Sequence, residues 1–207
     1  MTPIPAPMHA PEQLRAPFTD PDWLYEIKFD GYRAMAGIEG GQVELRTKSG
    51  ADCTRWFPEV AQALAQLPGG PHVIDGEVCV LGPDGVSDFN ALQERARRRR
   101  LYPGAPPVAL CAFDLLVHNG KSVMRRPLEE RKQMLEHLLA SVPKVAVMFV
   151  GSLPADVLVF QSMLHAGLKI EGVMAKRRDS TYQPGVRSPA WAKIKRPGWQ
   201  EGRNWKG

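Results

Sequence analysis

The chain has 207 residues, of which 43% are apolar and 24% are charged, proportions typical of a globular protein with one large core or two small ones. No apolar run approaches the length that spans a bilayer, and the proline-rich N-terminus has neither the basic nor the apolar region of a signal peptide. The three scattered cysteines argue against a disulfide framework and favour a reducing cytoplasm. The net charge of +5 favours a polyanionic partner.

The first third of the chain predicts an arm followed by strands. Residues 1–20 are predicted to be extended, because their prolines prevent a regular helix and remove backbone donors. The alternating segment 23–29 predicts a strand, and segment 33–47 predicts two strands joined by a hairpin turn at Gly40 and Gly41.

Helices and further strands follow to the end of the chain, with boundaries marked by prolines, glycines and polar caps. Helices are predicted at 57–70, 87–100, 127–142 and 154–167. Strands are predicted at 72–85, where a turn ends the segment, and at 108–121, 144–150, 171–177 and 191–196. Because hairpins dominate and no doubly wound alternation is present, the sequence predicts an α+β domain with antiparallel sheets and flanking helices.

Several predicted strands carry ionisable side chains among apolar ones. They are Lys28, Glu77, Glu171 and the pair Lys193 and Lys195. Each by itself fits a salt bridge or a solvated strand face, because a charge inside a strand is costly unless it is paired or hydrated. Together they predict a polar cleft between the sheets.

Such a cleft suits phosphate chemistry. Lys193 and Lys195 are two residues apart, so they point to the same face and can hold one anion. Crowded cations also lower the pKa of a neighbouring lysine, as a nucleophilic amine requires. Glu77 and Glu171 offer hard oxygen ligands for Mg²⁺ or acceptors for ribose hydroxyls. The sequence contains no P-loop and no Rossmann fingerprint.

Five segments extend this pattern into a family resemblance. In order they are KFDGYR (28–33), VIDGEVCV (73–80), AFDLL (112–116), EGVMAKR (171–177) and WAKIK (191–195). They resemble motifs I, III, IIIa, IV and V of the covalent nucleotidyltransferases, above all the adenylation domain of ATP-dependent DNA ligases in bacterial end-joining enzymes. The resemblance runs from about residue 5 to residue 197. It implies a nucleotidyltransferase (ATP-grasp-like) fold whose active-site cleft lies between the sheets.

The resemblance also implies roles for individual residues. Lys28 would attack the α-phosphorus of ATP, expel pyrophosphate and hold AMP as a phosphoramidate. Arg33 and Glu77 would contact the ribose, Phe113 would stack on the adenine, and Glu26 would lie along the base pocket. Lys176, Lys193 and Lys195 would bind the phosphates. Asp30 would orient the lysine or a metal, and Glu171 would bind Mg²⁺ or Mn²⁺.

Two features depart from the family pattern. The segment TKSG (47–50) places Lys48 where an arginine is expected, which keeps the positive charge at the nucleotide site but loses the bidentate fork. The chain ends twelve residues after Lys195, so we expect no C-terminal oligonucleotide-binding fold (OB-fold). The expected organisation is an arm, an adenylation domain at 21–197, and a short basic tail with tryptophans at 198–207.

A run of four arginines allows two interpretations. Arg97, Arg98, Arg99 and Arg100 either form a solvated helix face or contact nucleic-acid phosphates, for which clustered charge suffices. The sequence also leaves two hypotheses for the function of the chain.

The first hypothesis is an ATP-dependent DNA ligase-type adenylyltransferase that seals nicked or broken double-stranded DNA in repair. We expect a monomer in a bacterium-like cytoplasm near the nucleoid, with repair proteins or an OB-fold domain in trans as partners and no membrane association. The alternative is a nucleotide- or DNA-binding accessory module whose ligation is incomplete or depends on a partner.

Overall fold

The computed structural model describes residues 1–142, 145–167 and 170–199, which contain ten strands and four α-helices. The strands are β1 Trp23–Ile27, β2 Tyr32–Glu39, β3 Gln42–Thr47, β4 His72–Cys79, β5 Ala109–His118, β6 Lys121–Ser122, β7 Val147–Phe149, β8 Leu153–Pro154, β9 Gly172–Arg177 and β10 Trp191–Lys195. The helices are α1 Pro58–Leu64, α2 Phe89–Arg97, α3 Leu128–Leu139 and α4 Val157–His165.

The strands form two separate sheets. The smaller has the order β10-β9-β1-β8, and the larger has the order β3-β2-β4-β5-β6, with β7 paired to β5. All pairs are antiparallel except β5 and β7. The predicted α+β fold with antiparallel sheets and flanking helices is therefore confirmed, and the one parallel pair arises because α3 crosses over between its two strands.

The hairpin between β2 and β3 turns where the sequence predicts. Glu39 lies opposite Gln42, and only Gly40 and Gly41 lie between them. Their φ angles of 58° and 77° are both in the left-handed region, which the favoured two-residue hairpin turns require and which glycine adopts without steric cost.

Each sheet buries one face against helices. The larger sheet packs on α1, α2 and α3 around Phe57, Leu64 and Leu135, all of which are 0% exposed. The smaller sheet packs on α4 through Phe160 and Met163. The faces turned away from these helices are left to form the cleft between the sheets.

A buried ion pair ties α3 to β5. The Arg131 guanidinium donates to both carboxylate oxygens of Asp114 at 2.7 and 2.9 Å, and both side chains are 0% exposed. Arg131 also donates to the backbone oxygens of Arg126 and Ser180. These bonds satisfy most of its donors, as a buried guanidinium requires, and they fix β5 next to the cleft.

The N-terminal arm closes one side of the space between the sheets. Met8 is 0% exposed and belongs to a cluster that joins Met35 of β2, Leu116 of β5 and Trp191 of β10. The Met8 N–H donates to the Tyr182 hydroxyl at 2.9 Å. The arm forms no helix or named strand, yet its apolar side chains are part of the core.

The predicted helices are shortened at their ends. Asp88 caps α2 by accepting from the Ala91 N–H at 2.9 Å, but the helix ends at Arg97, and Arg99 has a φ of 51°. The predicted span 87–100 is thus wrong at its C-terminal end, because a left-handed residue terminates an α-helix.

Helix α4 also begins later than predicted, because Leu153 and Pro154 pair with β1 as a short strand. Among the described residues, no helix combines the length and apolar character needed to cross a bilayer.

Candidate active site

A cavity of about 610 Å³ lies between the two sheets. Both sheets, the arm and the loop before β10 contribute side chains to it. Among the described residues, six lining side chains are cationic and one is a carboxylate, that of Glu77. The cations are Lys28, Arg33, Lys48, Lys176, Arg187 and Lys193. A concave site with this excess of positive charge is suited to a polyphosphate.

A glycine lets the chain bend sharply between β1 and β2. A Cβ on Gly31 would lie 2.2 Å from the Val78 backbone oxygen and 2.7 Å from Cys79 Sγ. Only a residue without a side chain can pass β4 this closely. The loop is further fixed because Lys28 N–H donates to the Gly172 oxygen at 2.9 Å and Asp30 N–H to Ser87 Oγ at 3.0 Å.

Lys28 meets Glu171 at the junction of β1 and β9. Its Nζ lies 2.5 Å from Glu171 Oε2, and Lys195 Nζ lies 2.8 Å from the other oxygen. Burial would raise the pKa of Glu171, but the two ammonium groups outweigh it and lower that pKa. Glu171 is therefore ionised and holds the two lysines of different strands together.

Glu77 has a different environment on β4. It is partly buried and forms no ion pair with a described residue. Burial raises the pKa of Glu77 to about 7, although Lys28 and Arg33 act in the opposite direction and Asp75 and Asp30 reinforce the rise. Its carboxyl can thus accept or donate a hydrogen bond near neutral pH.

Arg33 is held in place by a carboxylate that lies behind it. Its Nε and Nη2 donate to the two oxygens of Asp75 at 2.9 and 2.5 Å, and the Tyr182 hydroxyl donates to the same carboxylate at 2.7 Å. Burial would lower the pKa of Arg33, but Asp75 raises it well above its usual range. The guanidinium is a fixed positive charge 5.3 Å from the Phe113 ring centroid.

Glu26 and Lys176 form a buried cluster beneath the cavity. Glu26 is 2% exposed, with one oxygen 2.6 Å from Lys132 Nζ and the other 2.6 Å from Lys176 Nζ. Burial first, and then Lys132, lower the pKa of Lys176, whereas Glu26 raises it. The base-pocket role of Glu26 stays a prediction, and the structure shows its side chain engaged by the two lysines.

Two aromatic rings lie close to the Lys176 ammonium group at one end of the cavity. Its Nζ lies 4.4 Å from the centroid of Phe113 and 4.3 Å from that of Trp191, within cation–π range. Phe113 and Met174 both line the cavity and come from different sheets. The sequence assigned Lys176 to the phosphates, and that role stays a prediction; the structure places its ammonium group beside these two rings.

Lys193 and Lys48 lie among the other cationic side chains of the cavity. Burial, and then the charges of Lys28 and Lys48, lower the pKa of Lys193. This is the effect of crowded cations that the sequence predicts, although it falls on a neighbour of the candidate nucleophile. Lys48 is exposed on the segment after β3, and both lysines line the cavity.

The arginine run lies outside the cavity lining, on the surface at the end of α2. Arg97 pairs with Glu94 at 2.9 Å, and both side chains are more than half exposed. Arg98 lies 4.1 Å from the Tyr102 ring centroid and Arg99 lies 5.3 Å from that of Trp56. Arg100 is exposed as well. The predicted tail is described only to Trp199, so Trp205 lies outside the described residues.

Sequence reasoning missed several residues that build the site. They are His9, Asp75, Lys132, Met174, Tyr182, Arg187 and Trp191. Strand alternation could have found two of them, since Met174 shares a face with Lys176, and Trp191 shares one with Lys193. Asp75 likewise lies two residues before Glu77 on β4, and no local pattern marks the remaining four.

The described residues contain no group of three or more His, Cys, Asp or Glu side chains that could hold a metal ion. A divalent ion bound through one or two carboxylates and the phosphates of a nucleotide needs no such cluster. Glu171 fits that mode because it is ionised and adjoins the cation-rich end.

A deep cleft between two antiparallel sheets, with a lysine at its edge and aromatic rings at its base, defines a nucleotidyltransferase domain. The sequence signature described as "ATP dependent DNA ligase domain" matches residues 6–195. The chain belongs to this family, and the resemblance drawn from its five motifs is confirmed.

Individual relatives of the chain include end-joining and ligase-like proteins. The chain is 36% identical over 191 residues to the multifunctional non-homologous end joining protein LigD of Mycolicibacterium smegmatis, covering 92% of this chain and 24% of that protein. It is 32% identical over 181 residues to the SPbeta prophage-derived DNA ligase-like protein LigB of Bacillus subtilis, covering 87% of this chain and 64% of that protein.

A solved structure of mycobacterial DNA ligase D complexed with ATP and MES has a TM-score of 0.76 and 35% identity, and the match covers 92% of this chain and 60% of that one. The chain therefore spans about a quarter of the length of the LigD relative and three fifths of the solved ligase chain.

Proposed function

We propose that this domain transfers AMP from ATP to DNA through Lys28, as the adenylation step of strand sealing. The Lys28 ammonium group first loses a proton to solvent. The neutral amine then attacks the α-phosphorus, a nitrogen–phosphorus bond forms, and the bond to the bridging oxygen of the β-phosphate breaks. Pyrophosphate leaves with the electron pair, and the amine releases one proton. The AMP then passes to a DNA 5'-phosphate, and a 3'-hydroxyl displaces it as the strand closes.

The observation that carries this proposal is the position of Lys28. Its Nζ lies at a cavity lined by five other cationic side chains, and its carboxylate partner Glu171 is shared with Lys195. Charge that develops on phosphoryl oxygens is stabilised chiefly by positioned cations. Glu171 lies 2.5 Å away and orients the amine, and it is the first acceptor available to its proton.

The opposite end of the cavity suits a nucleoside. Phe113 offers a ring face for the adenine and Met174 an apolar side chain from the other sheet. Glu77 can accept from a ribose hydroxyl once it is ionised, with Arg33 fixed beside it by Asp75. We assign Lys176 to this end because of its place between the two aromatic rings.

A Mg²⁺ or Mn²⁺ ion would be held by Glu171, with Asp30 near the same loop, together with phosphate oxygens of the nucleotide. When bound, the ion supplies further positive charge next to the transferring phosphoryl group. Lys193, Lys195 and Lys48 supply the fixed charge that holds the phosphates in place.

We assign the DNA contact to the surface that follows α2. Phe89 at the start of the helix packs on Tyr32, which lines the cavity, with ring centroids 5.9 Å apart. The helix extends about 1.5 Å per residue from there, so its nine residues place the start of the arginine run about 12 Å along the helix axis from Phe89. The aromatic contacts of Arg98 and Arg99 leave their guanidinium edges available to phosphates.

The experiment is intact-mass measurement after incubation with ATP and Mg²⁺, followed by peptide mapping. A mass gain of one AMP on Lys28 supports the proposal, and parallel incubation with α-labelled ATP and GTP tests the base. Labelling by GTP alone would move the assignment to capping-type chemistry.

Sealing is read on nicked DNA and on pre-adenylated nicked DNA, with and without an OB-fold domain added in trans. An adduct without sealing would indicate a domain that needs a partner. If no adduct forms with any divalent metal, the enzyme proposal fails and the binding-module alternative remains.

A further inference from the structure

The N-terminal arm turns a histidine towards the active-site cavity. Met8 and Ala10 are buried, at 0% and 4% exposure, in the core between the sheets. His9 is half-buried between them and lines the cavity together with Ala10.

Two backbone hydrogen bonds fix this orientation. The His9 N–H donates to the Val186 oxygen at 2.9 Å, and the Ser188 N–H donates to the His9 oxygen at 2.8 Å. The arm thus pairs in parallel with the loop before β10, with His9 beside Arg187. Arg187 lines the same cavity.

The charged groups facing His9 come from four segments. Arg33 lies on β2, Lys48 follows β3, Arg187 lies before β10, and Asp75 lies on β4. Burial, and then the three cations, lower the pKa of His9, whereas Asp75 raises it. The Asp75 carboxylate is already engaged by Arg33 and Tyr182. The imidazole forms no hydrogen bond or ion pair with any residue in the described part of the chain.

We propose that His9 is a phosphate-binding residue of this site, whose imidazolium donates a hydrogen bond to a phosphate group that enters among Lys48, Arg187 and His9 itself. The inference rests on the proposed function for the presence of phosphate. The group is either in the polyphosphate tail of ATP or at the 5' end of a DNA strand.

Phosphate binding then takes up a proton. Burial and the surrounding cations favour the neutral imidazole in the empty site, and the charge of a phosphate offsets the cations and raises the pKa of His9. Below the pKa of the empty state, His9 is already protonated, so no proton is taken up. Above the pKa of the bound state, the imidazole stays neutral and its contribution is lost. Affinity for the phosphate therefore falls as the pH rises.

Isothermal titration calorimetry tests this with inorganic pyrophosphate, with a short 5'-phosphorylated oligonucleotide and with the same oligonucleotide bearing a 5'-hydroxyl. The proteins are the parent chain, His9→Gln, His9→Arg and the control His165→Gln, which alters an exposed histidine on α4. Glu77 is present in all four proteins and titrates in the same range, so only differences between them report on His9.

Near pH 6, His9→Gln should bind phosphate about tenfold more weakly than the parent chain, because it loses a charge-assisted hydrogen bond. Near pH 8 the two proteins should bind phosphate equally well. His9→Arg should bind tightly at both pH values, and His165→Gln should match the parent. A tenfold effect on pyrophosphate assigns His9 to the ATP tail, and one restricted to the 5'-phosphorylated oligonucleotide assigns it to the DNA strand.

Equal affinities of the parent and His9→Gln for both phosphate probes near pH 6, with unchanged unfolding temperatures, would overturn the proposal. Binding of these probes does not require the covalent step. Failure of AMP transfer with His9-dependent binding intact would therefore count against the proposed function and leave this inference standing.

Discussion

The two sheets that form the walls of the cleft each hold a glutamate in or next to a strand, and of the two Glu77 lines the cavity. The two carboxyl groups behave differently. Glu171, at the edge of the four-stranded sheet, has a side chain only 3% exposed but lies between the Lys28 and Lys195 ammonium groups, and its pKa is lowered. Glu77, on the six-stranded sheet, has no ion pair with a described residue, and burial raises its pKa to about 7. Burial alone therefore does not set the charge of a carboxyl group, because the partners supplied by neighbouring strands decide it.

The two sheets supply different sets of charges, although the division is not complete, since Lys176 of the four-stranded sheet lies beside Phe113 and Lys48 follows a strand of the six-stranded sheet. The four-stranded wall concentrates charge through Lys28, Glu171, Lys193 and Lys195, which suits the displacement at phosphorus. The six-stranded wall holds one fixed cation, Arg33, with an aromatic ring and a carboxyl group that titrates near neutrality, which suits recognition of a nucleoside.

The largest effect should come from Lys28→Ala. Removal of the nucleophile abolishes the AMP adduct, because the other lysines of the wall are held elsewhere in the site. Intact-mass measurement after ATP and Mg²⁺ checks this, with Lys121→Ala, an exposed lysine on β6, as the matched control. Full labelling of Lys28→Ala would show that the charged wall is not where the covalent step occurs.

Glu171→Gln should slow adduct formation about a hundredfold, the cost typical of losing one positioned electrostatic group. The variant keeps the shape of the side chain but loses the charge that orients Lys28. The lowered pKa of Glu171 contributes stability that is present above its ordinary value and lost as the pH falls through the folded-state value. Rapid-quench labelling measures the rate, and Glu136→Gln on α3 is the control; equal rates for both variants would contradict the assigned role.

Glu77→Gln should show that the stability contributed by Glu77 depends on pH in the opposite direction to that contributed by Glu171. A raised folded-state pKa means that the stability is present below the ordinary value of 4.5 and is lost as the pH rises through about 7. The variant should therefore unfold like the parent near pH 4 and be more stable above neutrality, by up to about 3 kcal/mol. Denaturant unfolding across this range checks the prediction, and a stability difference that does not change with pH would sink it.

The smallest effect should come from the arginine run, which lies outside both walls. Replacement of Arg97, Arg98, Arg99 and Arg100 by glutamine should leave adduct formation intact and reduce the salt dependence of DNA affinity by roughly one unit of slope per lost phosphate contact. Arg97→Gln alone should change little, because Arg97 already pairs with Glu94. An unchanged slope in the quadruple variant would return the run to a solvated surface.

Local patterns in the sequence predicted much of this molecule. Alternation and turn residues predicted the β2–β3 hairpin at Gly40 and Gly41, and Lys28 was singled out by its place within the ordered motifs. Strand parity placed Lys193 and Lys195 on one face. These features depend on neighbours along the chain, so they are readable without the fold.

Tertiary contacts decided what surrounds those residues. Lys132 reaches Glu26 across 106 positions of sequence, and the Tyr182 hydroxyl reaches Asp75 across 107. The arm was predicted as a separate extended segment, yet it buries Met8 and turns His9 into the cavity. The sequence by itself determined the longer strands, the hairpin and the order of the motifs. The charge states of Glu77 and Glu171 were decided only when folding set their burial and brought cations from distant strands to one of them, because electrostatic partners act through space.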